Sequence, residues 1–396
     1  MKNVRETDSV ETLKQYCFKE LRLSERDVEF LRLSVGKNPA PMELSSYYEA
    51  VVFDDLQGEH ACALASLSQK LGYQGVPDAL VPRLKGIIRY YSASNAMQMK
   101  ELFCLLQKLN EADADVMLLG SAAMKAYYMP HTVRYMRDIC FRIKSGRPGN
   151  AVRALEETGE YAVGTGEHQA AVIRNRQKPG IRFICPNGCD PGTNQDEGVF
   201  WEGAAETSFQ GERVFIPPCE MLLLLVLSDV FQAALSGSSN HSGRIQWALD
   251  SAFLPGKDGF RWEKLLEWCS RLDLSLEIRI MLQILNGLFP ALVPEEVLSD
   301  LPLSQADQKR IPLLLRFVRE KEKHVLYVQA HAGKKKSLRY CFHLLKLYWC
   351  RNRALGKRSC LAADVLSFPS FLNSCLGIET AHDFIRLLSS KLREPI

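Results

Sequence analysis

Two short stretches limit what this chain can fold into. Val116-Met-Leu-Leu119 is an apolar run that meets Gly120-Ser121 and then the small residues Ala122 and Ala123. After Arg134 and Arg137, Asp138-Ile-Cys-Phe-Arg-Ile143 alternates polar and apolar positions. An uninterrupted apolar run of that length suits a buried strand, and strict alternation suits a strand with one covered face. Gly120 can take backbone angles closed to other residues, and Ser121 is a favoured helix N-cap. The pair of stretches therefore predicts strand, turn, helix and strand, which an all-helical chain cannot supply.

The same stretches carry candidate chemistry. A helix opening at Gly120-Ser121 would present free N–H groups and a positive dipole end to a phosphate. On a strand, Asp138 and Cys140 project from one face and Ile139, Phe141 and Ile143 from the other. Two carboxylates at that spacing would share Mg²⁺ ions bridging a triphosphate. Here the second position is Cys140, and a thiol is a poor ligand for a hard cation that takes oxygen. An ordinary strand-to-helix turn followed by a strand-end Asp fits these residues too.

The order of segments adds a resemblance. From about Pro77 to about Trp262 the chain resembles the bacterial family of uncharacterised nucleotidyltransferases, which have a polymerase-β-like fold. The stations are Val76-Pro77-Asp-Ala-Leu80, the helix around Asn95 to Asn110, Val116 to Ala123, and Arg134-x-x-x-Asp138-Ile-Cys140. They continue with Arg244-Ile-Gln-Trp-Ala-Leu-Asp250 and Arg261-Trp262-Glu-Lys-Leu-Leu266. The resemblance implies an α+β fold: a small mixed sheet with flanking helices, embedded between helical amino- and carboxyl-terminal regions. It also implies site roles, with Asp138 holding Mg²⁺, Gly120, Ser121 and Arg137 the nucleotide, and Arg134 or Arg137 the developing charge. Several positions depart from the family pattern. Cys140 stands for the second Asp and Leu119 for a Lys. Ile181-Arg-Phe-Ile-Cys185 replaces a strand that usually carries Glu and His, and no His follows the apolar run until His241.

Along the chain, residues 1–114 read as helical, with Glu11–Leu23, Arg26–Leu33, His60–Leu71, Ala79–Tyr91 and Asn95–Asn110 as separate helices. Met99, Leu102, Leu105, Leu106 and Leu109 recur at helical spacing in the last and predict a core face. Residues 115–217 read as the α/β core. Beyond Ile143 they predict a helix over Gly149–Gly159 and strands at Glu160–Val163, Ala170–Arg174 and Ile181–Cys185. A polar loop over Pro186–Gly198 and a hairpin turning at Gln210-Gly211 complete the core. Residues 218–396 read as helical. Asp190, Asp196 and Glu197 in the polar loop, and Asp229 or Asp250 beyond it, are the acids able to replace a lost carboxylate. Arg244, Trp247 and Asp250, three apart on a helix, suit a structural Arg–Asp bracket.

Net charge is only +4, but it is unevenly spread. Between Lys309 and Arg358 the only acids are Glu320 and Glu322, among many Lys and Arg. Lys334, Lys335, Lys336, Arg339, Lys346 and Arg353 form a candidate surface for nucleic acid or an acidic protein partner. The twelve cysteines follow no disulfide spacing, and Met1–Glu11 holds no apolar signal segment, so a cytoplasmic protein with reduced thiols is expected. Cys185 and Cys189 would need further ligands, such as His168, to hold zinc. No apolar run is long enough to span a bilayer, the longest being Met221–Leu227.

Two functions follow. One is a nucleotidyltransferase-fold protein, degenerate and weakly active or inactive, that binds a nucleotide, nucleic acid or partner. The alternative is an active enzyme using Mg²⁺ to move a nucleoside monophosphate from a nucleoside triphosphate to a hydroxyl acceptor.

Overall fold

A computed structural model describes residues 2–35, 41–52, 56, 58–128, 132–144, 148–165, 171–177, 181–185, 197–236, 245–299, 301, 303–330, 346–350 and 353. Helices α1 (Lys2–Glu20), α2 (Glu25–Val35), α3 (Pro41–Ala50), α4 (Glu59–Lys70) and α5 (Val81–Glu111) come first. Then follow β1 (Val116–Leu119), α6 (Gly120–Met124), β2 (Ile139–Ile143), α7 (Pro148–Glu157), β3 (Tyr161–Thr165), β4 (Ala171–Asn175) and β5 (Arg182–Cys185). Next are α8 (Glu197–Trp201), β6 (Ala205–Phe209), β7 (Glu212–Ile216), α9 (Cys219–Ser236) and α10 (Gln246–Phe253). The chain continues through α11 (Trp262–Arg271), α12 (Ser275–Leu288), α13 (Glu295–Ser299) and α14 (Gln305–Ala330).

These elements form two compact units, one of Met1–Glu20, Leu235–Ser238 and Pro302–Ile396, the other of Leu21–Ala234 and Ser239–Leu301. In the first, α1 packs on α14, and Leu13 of α1 and Leu314 and Phe317 of α14 are buried. Lys321 of α14 donates to Glu20 Oε2 at 3.0 Å and lies over the Tyr16 ring.

The second unit holds a mixed seven-stranded sheet in the order β3-β4-β5-β2-β1-β7-β6. β1 runs antiparallel to β2 and parallel to β7, whereas β2 runs parallel to β5. All four residues of β1 are buried, as an uninterrupted apolar run requires in a central strand. In β2, Ile139 and Phe141 are fully buried while Cys140 is half-buried, but the expected alternation stops there, because Arg142 is also buried, its guanidinium 4.0 Å over the Phe200 ring. Met99, Leu102, Leu105, Leu106 and Leu109 of α5 are likewise buried, and α5 contacts β7 and α7.

Three local expectations change. Residues 81–111 form one helix, not two, because Ser92-Ala-Ser-Asn95 contains neither Gly nor Pro and the helix runs through it. Ser121 is not an N-cap: α6 begins at Gly120, its cap is Leu119, and no side chain bonds to that end. Gly120 has φ +50°, so this position needs glycine to turn from β1 into α6. Finally α6 has only five residues, too few to bring a sizeable dipole to the turn.

Two helices are tied together near the start of this unit. Asp27 of α2 accepts from the Ser24 backbone N–H at 2.7 Å and lies 2.5 Å from His60 Nε2 of α4. The other His60 nitrogen is 3.9 Å from Glu59 Oε1. Burial alone would raise the Asp27 carboxyl; the bonds from His60 and Ser24 outweigh it and hold the carboxyl below its ordinary value. A depressed carboxylate contributes stability that is present above its unfolded pKa, about 3.9, and lost as pH falls through the folded value. Asp27→Asn is therefore expected to flatten the loss of stability below about pH 4, read as the urea midpoint against pH.

Candidate functional site

The candidate site lies where β1 ends, β2 begins and β5 begins. Leu119 pairs with Cys140, which sets Gly120 against that thiol: a Cβ on Gly120 would meet Cys140 Sγ at 3.8 Å. Ile139 pairs with Phe183, so the residues one step earlier, Asp138 and Arg182, stand side by side at the same sheet end. The segment leading into Asp138, residues 132–138, forms neither helix nor strand and is fastened by side chains of α4 and α5. Ser66 Oγ donates to the Val133 carbonyl at 2.6 Å, Asn95 Nδ2 to the Arg134 carbonyl at 2.8 Å and Gln98 Nε2 to the Met136 carbonyl at 3.1 Å. Tyr91 of α5 packs edge-on against Tyr135.

Asp138 is not open on this face. Arg182 grips it with both arms, Nε to Oδ1 at 2.7 Å and Nη2 to Oδ2 at 2.5 Å. A second guanidinium, Arg137, has its Nε 3.9 Å from the same carboxylate. Beside them, burial first, then the charges of Asp229 and Asp138, push the Cys140 thiol up to about 12. The thiol is therefore protonated and neutral at pH 7. Asp229 is exposed on α9, and among the described replacement acids it is the one whose charge acts on Cys140.

Mg²⁺ binds oxygen in near-octahedral geometry at about 2.0–2.1 Å. The one carboxylate of the motif already has each oxygen bonded to an arginine, and its neighbour offers a neutral thiol. Among the described residues no group of three or more His, Cys, Asp or Glu is placed to hold a metal ion. These residues do not fit a Mg²⁺ site.

Arg134, expected to meet developing charge, is committed elsewhere. Its Nε donates to Asp250 Oδ1 at 3.0 Å, its Nη2 pairs with Asp250 Oδ2, and its Nη1 donates to the Tyr135 carbonyl at 3.0 Å. Tyr128 Oη, at 2.6 Å, and Gln246 Nε2, at 2.9 Å, also donate to Asp250 Oδ1. Asp250 is 2% exposed. Burial works against the Arg134 charge, and the Asp250 carboxylate more than offsets it, so its pKa lies above the ordinary value. Burial, reinforced by Asp250, also raises the Tyr128 hydroxyl well above its usual range and keeps it a donor. Asp250 is thus bonded to Arg134, a pairing the sequence reading did not name; the bracket expected of Arg244, Trp247 and Asp250 involves Arg244, which lies outside the described residues.

The helix carrying Asp250 is itself anchored: Glu59 accepts from the Ile245 and Gln246 backbone N–H groups, each at 3.3 Å. Sequence reasoning noted Arg182 only as a departure from the expected strand. No signal in the sequence could have exposed its role, because that depends on the register between β2 and β5.

Residues 57–290 match the model of a family described as uncharacterised nucleotidyltransferase. The chain belongs to that family. The matched region is wider than the resemblance traced along the sequence and includes β1, β2, β5 and the Arg134–Asp250 bracket. A crystal structure of an antigenic nucleotidyltransferase-like protein from Paracoccidioides brasiliensis is similar at 14% identity, covering 52% of this chain and 93% of that one with a TM-score of 0.32. So low a score supports no comparison of sites. No curated protein matches the sequence.

The remaining expected residues divide in two. Lys334, Lys335, Lys336 and Arg339 lie outside the described residues, as do Asp190, Asp196, His168 and Cys189. Lys346 is described and pairs with Glu320 at 2.8 Å, and Arg353 stacks over the Trp349 ring at 4.4 Å. Among the described residues no helix is long and apolar enough to cross a membrane.

Proposed function

We propose that this chain is a degenerate nucleotidyltransferase, weakly active or inactive in metal-dependent transfer, whose cleft binds a nucleotide, nucleic acid or partner. In this reading the core is polymerase-β-like and lies between helical regions. One observation carries it: the carboxylate that would hold Mg²⁺ is neutralised on both oxygens by Arg182. The neutral thiol of Cys140 at the next metal position supports it. Phosphoryl transfer depends on cations to offset the charge spread over the transferring group, so a site without them loses most of its rate advantage. The basic segment from Lys309 to Arg358 would add a surface for nucleic acid or an acidic protein, with salt-sensitive affinity.

The alternative, a working Mg²⁺-dependent enzyme, draws on Asp229, whose charge reaches Cys140. It would have to detach Asp138 from Arg182 and recruit Asp229 in place of the thiol.

Calorimetric titration of ATP and GTP with and without Mg²⁺, on the wild type and Asp138→Ala, separates the two. The expected result is affinity that Mg²⁺ changes by less than about twofold, a few tenths of a kcal/mol. Binding that requires Mg²⁺ and disappears in Asp138→Ala would overturn the proposal in favour of the enzyme.

A further inference from the structure

We infer that Arg182 takes the place of the metal: its guanidinium, held by Asp138 until a ligand arrives, receives the phosphate oxygens of a nucleotide or an inorganic polyphosphate without a divalent cation. This rests on the reading above that the cleft still binds, and it names the ligand class and the residue that takes it.

The argument begins with strand register. β5 lies parallel to β2, and the pairing of Ile139 with Phe183 brings Arg182 level with Asp138 at the sheet end where β1 turns at Gly120. In a metal-using site of this layout, positive charge at that sheet end comes from ions bridging carboxylate and phosphate. Here it is covalently built in.

A guanidinium is a planar fork whose parallel N–H groups fit carboxylate and phosphate oxygens equally well. The bidentate grip on Asp138 shows that the fork is already oriented. The Arg182 side chain is 34% exposed and that of Asp138 16%, so a ligand from solvent meets the arginine more readily than the aspartate.

Charge balance favours exchange. Arg137, 47% exposed, lies 3.9 Å from the same carboxylate, so two guanidinium groups face one aspartate. When Arg182 turns to a phosphate, Asp138 keeps a cationic neighbour and is not left buried and unpaired, which would be costly. Asp229 of α9, whose charge acts on Cys140, is exposed to solvent and screened. Asp138 is then an internal competitor for the ligand's place, where in a metal-dependent enzyme it is a required ligand.

That role reverses the sign of a simple substitution. The full chain would be titrated with ATP and with inorganic tripolyphosphate in EDTA, for the wild type, Asp138→Asn, Arg182→Gln and the double variant. Wild type is expected to bind without metal. Asp138→Asn, which frees the fork, is expected to bind about tenfold more tightly, and Arg182→Gln about tenfold more weakly. The double variant should lie close to Arg182→Gln, because Asp138 acts mainly through that arginine, with Arg137 and direct repulsion of the phosphate adding a smaller gain. Tighter binding of ATP than of tripolyphosphate identifies a nucleotide ligand, equal binding identifies the polyphosphate, and both support the inference.

Arg182→Gln leaves Asp138 with fewer partners and its folding would be checked by circular dichroism. Asp138→Asn keeps the size of the side chain without the charge that holds Arg182, and carries the test alone if the other variant misfolds. Weaker binding in Asp138→Asn, no binding by any variant, or metal-free binding indifferent to Arg182 would each overturn the inference. The last two leave the proposed function standing through another partner or contact; a strict Mg²⁺ requirement would overturn both.

Discussion

Arg134→Ala is expected to destabilise the larger unit by about 3–5 kcal/mol, the cost typical of removing one partner from a buried ion pair. Asp250 would keep its bonds from Tyr128 and Gln246, but at 2% exposure it would lose the only guanidinium bonded to it among the described residues. Denaturant unfolding followed by tryptophan fluorescence measures this, because Trp247 lies one turn from Asp250 on α10 and is buried. The double variant Arg134→Met/Asp250→Leu should recover much of the loss, since replacing both charges by apolar groups leaves nothing unpaired. An Arg134→Ala protein as stable as wild type would mean that the bracket contributes little, and would reopen a role for Arg134 at the cleft.

The second large effect is a gain. Cys140→Asp combined with Arg182→Glu would place new carboxylates on β2 and β5 beside Asp138 and remove the guanidinium that now occupies it. Without metal these like charges should repel and lower stability by about 1–2 kcal/mol, a cost that Mg²⁺ then reverses. At a Mg²⁺ concentration ten times the dissociation constant, binding would restore about 1.4 kcal/mol. A thermal melt with and without Mg²⁺ reads this directly, with wild type expected to show no Mg²⁺ response. Cys140→Asp alone should respond little, because Arg182 still holds Asp138. If the double variant ignores Mg²⁺, then these substitutions are not what separates this sheet end from a metal-binding one.

Both predictions concern residues whose types were plain in the sequence and whose partners were not. Arg134 and Asp250 were each visible as stations of a family resemblance, yet they are 116 residues apart and no spacing rule joins them. The structure shows that two of those stations touch, which gives a packing reason for an Arg and an Asp so far apart. Arg182 was read as an absence of Glu and His. Its effect on Asp138 emerges only when β5 is seen to lie parallel to β2 in a register that sets the two side by side.

Local pattern did carry far. The apolar run Val116–Leu119 and the leucine stripe of α5 fold as their periods require, because burial of a face or a whole strand is written in residue order, whereas Asp138–Ile143 forms its strand with Arg142 buried against the expected alternation. The loss of the second carboxylate at Cys140 was likewise legible, since a thiol cannot be a carboxylate in any fold. Which cation now satisfies Asp138, and which acid holds Arg134, were decided by tertiary structure alone. Ion pairs form between whatever charges the sheet register and helix packing bring within about 4 Å, and neither register nor packing is encoded by the neighbours of a residue in sequence.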